Sequence, residues 1–347
     1  MSAEQENQQP ALFESESEIS IIPERIRVLA NKARLKQGAG KIEELTPDEL
    51  QDREKDSNAL VNMGRNLRRS NLRSDEHPNG DLFIADLFDY ALKDDGASME
   101  APIFSLATRP DLRIWKWVSK DGQKSLEVTP SVKGRATQHD KDILIFLISQ
   151  MTEGLNLGRP DAKQRTVRFC VYDYLVKTNK STGGKEYQRL EESLDRLAGT
   201  RIKTDIKTGG ERVKESFGIL DAWRIVEKSP NKQIMVAVEV TLSKWLYNSI
   251  QSFEVLTIDS LYFRLRKPLE KRLYEIARKH VGKQQGWKIQ LELLKEKTGS
   301  SADLREFRRM IKEIAQANTI PNYLLVLDEN DNAIFKIKDK NRLLGLL

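Results

Sequence analysis

Before residue 81 the apolar positions of this chain follow no sustained period; after it they alternate between period-2 and helical runs. Residues 114–118 and 125–129 alternate on either side of Lys120-Asp121-Gly122, which predicts a hairpin. A helix follows, capped by Thr137 or His139 and carried to Glu153 by Ile143, Leu144, Leu147, Ile148 and Met151. After a break at 158–160, residues 165–178 read as helical through Tyr172, Leu175 and Val176. Gly183-Gly184 then stops the chain. Tyr187, Leu190, Leu194 and Leu197 predict the next helix over 185–198, and two alternating stretches, 201–206 and 213–223, predict a ribbon. Helix, helix, ribbon is the order of a winged helix.

The order recurs. Residues 241–250, 268–281, 291–297 and 302–318 read as helices, and 323–327 with 333–338 as a ribbon joined by the polar run 328–332. The predicted fold is therefore α+β: two tandem winged-helix domains, 81–230 and 231–347, behind a flexible, partly helical N-terminal arm over 1–80. The arm is rich in Gln, Glu, Asn and Arg and poor in aromatics, a composition that buries too little surface to offset its chain entropy. Within it, Thr46-Pro-Asp-Glu49 has the capping pattern of a helix start.

Charge sharpens the picture. The 347 residues carry 58 Lys and Arg against 52 Asp and Glu, a net charge of +6. The excess sits at the C-terminal end: −3 over 1–80, +2 over 81–230 and +7 over 231–347. A polyanionic partner is expected there first. The single cysteine, Cys170, excludes an internal disulfide and a multi-thiolate metal site. The longest aliphatic and aromatic run, 143–148, is too short to span a bilayer, and the N-terminus lacks an export pattern, so a soluble cytoplasmic protein without membrane contact is expected.

The candidate chemistry is one helical stripe. Arg305, Arg308, Arg309 and Lys312 stand at i, i+3, i+4 and i+7, within about 100° of a helix, while Leu304, Phe307, Ile311 and Ile314 occupy the other side. A second helix of a helix-turn-helix enters the major groove, where arginine pairs bidentately with guanine. Glu306 and Glu313 could equally make the stripe a solvated face, but the preceding helix, the following ribbon and the C-terminal charge favour DNA. Lys336, Lys338 and Lys340 alternate along the last ribbon strand, as a wing crossing a DNA backbone would have them. In the first domain, Arg189, Lys203, Lys207 and Arg212 are candidate phosphate contacts, although helix 185–198 carries four carboxylates against three cations. Lys271, Arg272, Arg278 and Lys279 are expected on the outer side of helix 268–281, in solvent or on phosphates.

Catalytic motifs are missing. The three histidines, His77, His139 and His280, are far apart in sequence, so neither an HxH cluster nor HExxH occurs. Gly40-Lys41 and Gly184-Lys185 lack the remainder of a Walker A loop, and Lys283 stands where a tyrosine recombinase would need the arginine of HxxR after His280. No enzyme activity, cofactor or metal is expected.

Phe104-Ser-Leu-Ala-Thr-Arg109, Tyr187-Gln-Arg-Leu190, Leu197-Ala-Gly-Thr-Arg-Ile202 and, above all, Tyr262-Phe-Arg-Leu-Arg-Lys-Pro-Leu-Glu-Lys-Arg-Leu-Tyr-Glu-Ile-Ala-Arg-Lys-His280 resemble the replication initiator protein A family of bacterial plasmids, akin to TrfA-like initiators. The resemblance spans about 81–340. It implies two winged helices that bind repeated double-stranded origin DNA (iterons), open a neighbouring A·T-rich segment, and recruit the host initiator and replicative helicase. It also implies a homodimer in exchange with an active monomer, the first domain making the dimer contact. The alternative is a dimeric winged-helix transcription repressor that never opens an origin.

Overall fold

The computed structural model describes residues 82–338, apart from 88, 120–121, 123–124, 206–214, 228–234 and 283. The arm expected over 1–80, with its helix start at Thr46, lies outside the described residues. The chain opens with β1 (Phe83–Ala85) and β2 (Lys93–Asp95), then a single-turn helix α1 (Gly96–Glu100) capped by the Asp95 carboxylate, which accepts the Ser98 N–H at 2.7 Å. The predicted hairpin forms as β3 (Trp115–Val118) and β4 (Ser125–Thr129).

Helix α2 (Lys141–Asn156) is apolar around most of its circumference, and such a helix has to be enclosed. Ile143, Leu144, Phe146, Leu147, Ile148 and Met151 enter a first core, while Ile145 enters a second. Residues 165–178 are not one helix. Strand β5 (Thr166–Phe169) comes first, inserting Val167 and Phe169 into the core, and only then α3 (Val171–Lys177), with half-buried Cys170 at its N-cap. The rings of Phe146 and Phe169 meet edge-on at 5.5 Å. Helix α4 (Gly184–Gly199) buries Leu190, Leu194 and Leu197, as its periodicity requires.

The ribbon expected at 201–223 is split. Strands β6 (Arg201–Thr204) and β7 (Glu215–Gly218) do pair, but as the far half of a four-stranded sheet ordered β3-β4-β6-β7. At Ile219 the chain turns away, and β8 (Leu220–Glu227) pairs with β9 (Met235–Leu242) in another sheet, ordered β1-β5-β9-β8. Helix α5 (Lys244–Gln251), capped by Ser243, then packs Trp245, Leu246 and Ile250 into the first core. The first core thus runs past residue 230 to Ile250.

A short strand β10 (Val255–Thr257) pairs antiparallel with β2. After a 3-10 turn at Ser260–Arg264, Pro268 starts α6 (Pro268–Val281). Strand β11 (Gly286–Gln290), helices α7 (Leu291–Thr298) and α8 (Leu304–Ala317), and the hairpin of β12 (Tyr323–Leu327) and β13 (Asn332–Ile337) complete the second core. Between α7 and α8 the turn requires Gly299: φ is +73°, and a Cβ there would lie 2.7 Å from Pro102.

One element order occurs twice. Helix, strand, helix, helix, strand, strand is α2-β5-α3-α4-β8-β9 in the first unit, where β6 and β7 of the other sheet are inserted between α4 and β8, and α6-β11-α7-α8-β12-β13 in the second. In both, the third strand lies between the other two, as β5-β9-β8 and β11-β13-β12.

Helix α6 departs from its sequence pattern. Lys271, Arg272 and Arg278 are buried, and Lys279 is half-buried. The side expected to face solvent packs on α1, α2 and β10 instead, and its charges are matched there. Lys271 meets Asp142 at 2.5 Å, and Glu275 meets Lys141 at 3.0 Å. Arg272 donates to the carbonyls of Ser98 (2.9 Å), Met99 (3.1 Å) and Lys297 (2.9 Å), satisfying the ends of α1 and α7 together. A buried ion pair holds best when its carboxylate has further hydrogen bonds, and Glu275 also accepts from Gln138 and Tyr262.

Candidate nucleic-acid interface

Helix α8 is fixed at both ends and along one side. The Asp303 carboxylate caps its start, accepting the Glu306 N–H at 2.7 Å, and Asn318 ends it in the left-handed region at φ +50°. Phe307, Ile311 and Ile314 are buried in the second core. Arg305, Arg309 and Lys312 are exposed, and Arg308 is half-buried, so the predicted stripe is present on the outer side.

The four cations are not equivalent. Arg308 grips Asp331 with two hydrogen bonds, Nε at 2.8 Å and Nη2 at 2.5 Å, which raises the guanidinium pKa and lowers that of the carboxyl. Arg309 is held between Glu306, at 2.6 and 2.9 Å, and Glu313. Arg305 and Lys312 make no ion pair among the described residues. They are two helical turns apart, about 10 Å along the axis. The carboxylate pairs on Arg308 and Arg309 are open to solvent, and such screened pairs offer little resistance to a competing phosphate or base.

The β12–β13 turn is acidic. Asp328 accepts the backbone N–H groups of Asn330 and Asn332 at 2.9 Å each and pairs with Lys288 at 2.8 Å; Lys288 and these bonds push its pKa down to about 2. Asp331, at φ +56°, turns back toward α8.

Lys336 is exposed, but it neighbours buried Phe335 on β13 and so projects from the face of the sheet opposite α8. Lys338 is committed: its Nζ donates to the carbonyls of Asn318 (3.0 Å) and Ile320 (2.8 Å), closing the C-terminal end of α8. Neither joins the α8 face, and Lys340 lies outside the described residues. In the first unit Arg189 is exposed on α4 and paired with Glu186 at 2.5 Å, while exposed Lys203 stands on β6 in register with Glu127 and Ser216. They sit on separate layers. Lys207 and Arg212 lie outside the described residues.

Sequence reasoning passed over four exposed cations: Arg109, Arg264, Arg266 and Lys267. The signal was in the order Tyr262-Phe-Arg-Leu-Arg-Lys-Pro, where Tyr262, Phe263 and Leu265 are buried and the basic residues between and after them are turned out. Among the described residues, no group of three or more His, Cys, Asp or Glu is arranged to hold a metal, and no helix is long and apolar enough to cross a membrane.

The arrangement defines a mixed α/β protein in which a braced, cation-bearing helix is presented beside a hairpin. The family model for replication initiator protein A matches residues 93–325. A protein of Wigglesworthia glossinidia brevipalpis named for a role in replication is 35% identical over 248 residues, covering 70% of this chain and 88% of that one. The chain belongs to the replication initiator protein A family. It shares its fold with a crystal structure of domains 2 and 3 of RctB, at 14% identity and a TM-score of 0.50, covering 70% of this chain and 96% of that one. A second structure of the same RctB domains gives 0.48 over 72% and 99% of the two chains, also at 14% identity.

Proposed function

We propose that this protein initiates plasmid replication by binding repeated double-stranded origin DNA, with the two recurring units acting as tandem winged helices. The observation that carries the reading is α8, pinned by Phe307, Ile311 and Ile314 while Arg305 and Lys312 are exposed beside the β12–β13 hairpin, with no ion pair among the described residues. In this reading α8 lies in the major groove. Arg305 and Lys312 contact DNA directly, Arg308 is aimed by Asp331, and Arg309 exchanges its carboxylate partners for DNA. The first unit assists through Arg189 and Lys203 and makes the contact of an inactive homodimer that exchanges with an active monomer.

The protein has no catalytic step of its own. Binding and bending energy open the A·T-rich neighbour, and the host initiator and replicative helicase follow in the bacterial cytoplasm. The test is permanganate footprinting on a fragment carrying direct repeats of about two helical turns and their A·T-rich flank. Protection of the repeats with reactive thymines in the flank is expected. Binding only to inverted repeats, without reactive thymines, would make the protein a repressor instead.

A further inference from the structure

The geometry points to a second, sequence-independent DNA contact: a phosphate track along the seam between the two units, built by Arg109, Arg264, Arg266 and Lys267. It rests on the reading that the protein binds duplex DNA.

The segment that bears three of these cations is stiff. The Asp259 carboxylate accepts the Leu261 N–H at 2.8 Å, and the Leu265 N–H donates to the Tyr262 carbonyl at 3.1 Å. Burial of Tyr262, Phe263 and Leu265, followed by the fixed ring of Pro268, leaves the side chains at 264, 266 and 267 only the solvent side. These cations are therefore offered from a backbone that is already ordered, and binding them costs little conformational entropy.

Neighbouring clefts share these cations in their walls. Arg109, from the first unit, and Arg266, from the segment leading into α6, line one cleft of about 750 Å³. Arg264, Arg266 and Lys267 line the next, of about 630 Å³, which reaches the C-terminal end of α8. Lys267 also borders a third cleft, beside Arg309.

Charge balance distinguishes Arg109 and Arg266 from the other cations that line the first cleft. Lys133, Lys180, Arg189 and Arg196, which share the first cleft, are each matched by a carboxylate: Asp195, Asp142, Glu186 and Asp140. Glu270, in the second cleft, accepts from Thr319 at 2.9 Å. Arg109, Arg264, Arg266 and Lys267 have no ion pair among the described residues. Unmatched arginines in an open groove fit the sugar-phosphate backbone, whose oxygens take the guanidinium fork. A DNA strand running from α4 to α8 would cross them.

The experiment compares the full-length protein with the triple variant Arg264→Ala, Arg266→Ala, Lys267→Ala, and separately with Arg109→Ala, on an origin-repeat duplex and an unrelated duplex across a salt series. The triple variant is expected to lose at least about tenfold in affinity for both duplexes equally, with a log-log salt slope shallower by about 2.7, at about 0.9 per phosphate released. Arg109→Ala is expected to flatten the slope by about 1. Replacing the two arginines by lysine should restore most of the slope, and melting temperatures should match the parent, since all four side chains are exposed. If the parent binds duplex DNA while the triple variant keeps its affinity and slope, or loses only the origin duplex, the track is overturned. A parent that binds neither duplex would overturn the DNA-binding reading itself, and this inference with it.

Discussion

The ammonium group of Lys141, at the start of α2, lies between two buried carboxylates from different parts of the chain, 2.7 Å from Asp94 and 3.0 Å from Glu275 of α6. Gln138 also bonds the Glu275 carboxylate, as does Tyr262 at 2.7 Å. Removing the cation leaves Asp94 without its counter-ion out of water, while Glu275 keeps Arg272 at 3.1 Å. Lys141→Met is expected to destabilise the protein by about 3–5 kcal/mol, whereas adding Glu275→Gln should recover part of that loss. Urea denaturation checks both, and a single-variant loss below about 1 kcal/mol would contradict the bridge.

His280 stacks on Trp287 with ring centroids 4.5 Å apart, and burial, reinforced by Lys297, lowers its pKa from 6.5 to about 4. Between those values the unfolded chain takes up a proton that the native imidazole refuses. The contribution is thus complete above about pH 6.5 and is lost as pH falls toward 4, at up to about 1.4 kcal/mol per pH unit. Asp94, pushed up to about 7 by burial, works in the opposite direction over the same range. The difference between the parent and His280→Phe isolates the histidine. That difference should change steadily between pH 6.5 and 4.5 in urea titrations, and a constant offset would refute the assignment.

Asp331 holds Arg308 from 23 positions away in sequence. If that carboxylate aims the guanidinium at a base, Asp331→Ala should weaken discrimination between origin and unrelated DNA while leaving unrelated-DNA affinity the same or higher. Arg308→Ala should cost about 1–3 kcal/mol of origin binding. Competition gel shifts measure both. An unchanged preference in both variants would remove Arg308 from the reading surface.

Phe307 is the fully buried anchor of α8. Phe307→Ala is expected to cost about 3–5 kcal/mol of stability and to reduce origin affinity with it, because the cationic side depends on the apolar one for its position. Equilibrium denaturation with parallel binding curves tests the coupling.

With α8 and the seam engaged together, the log-log salt dependence of origin binding should have a slope of about −4 to −8, corresponding to about five to nine phosphates. A flat response would point to a protein partner.

The sequence was most readable where one element decides its own structure. The hairpins at β3–β4 and β12–β13, the α4 and α8 periodicities, and the basic stripe on α8 follow from local spacing alone. What stayed hidden depends on distant partners. Lys271 and Arg272 look like a solvated face because the carboxylates and carbonyls that receive them, at Asp142, Ser98 and Met99, are more than a hundred residues away. The alternating run through β7 and β8 hides the turn at Ile219, so the exchange of β8 to β9 was invisible, as was the repeated order of elements built on it. The pairing of Arg308 with Asp331 could not be read either, since a charged turn residue has many possible neighbours.

Helix α6 contributes to one core with Leu269, Leu273 and Ile276 and grips the other unit with Lys271, Arg272 and Glu275. A rod clasped on all sides leaves no swivel between the modules it joins. The pitch and span from one module to the other are therefore settled during folding, and any double helix that engages both must bring its own grooves into phase with them.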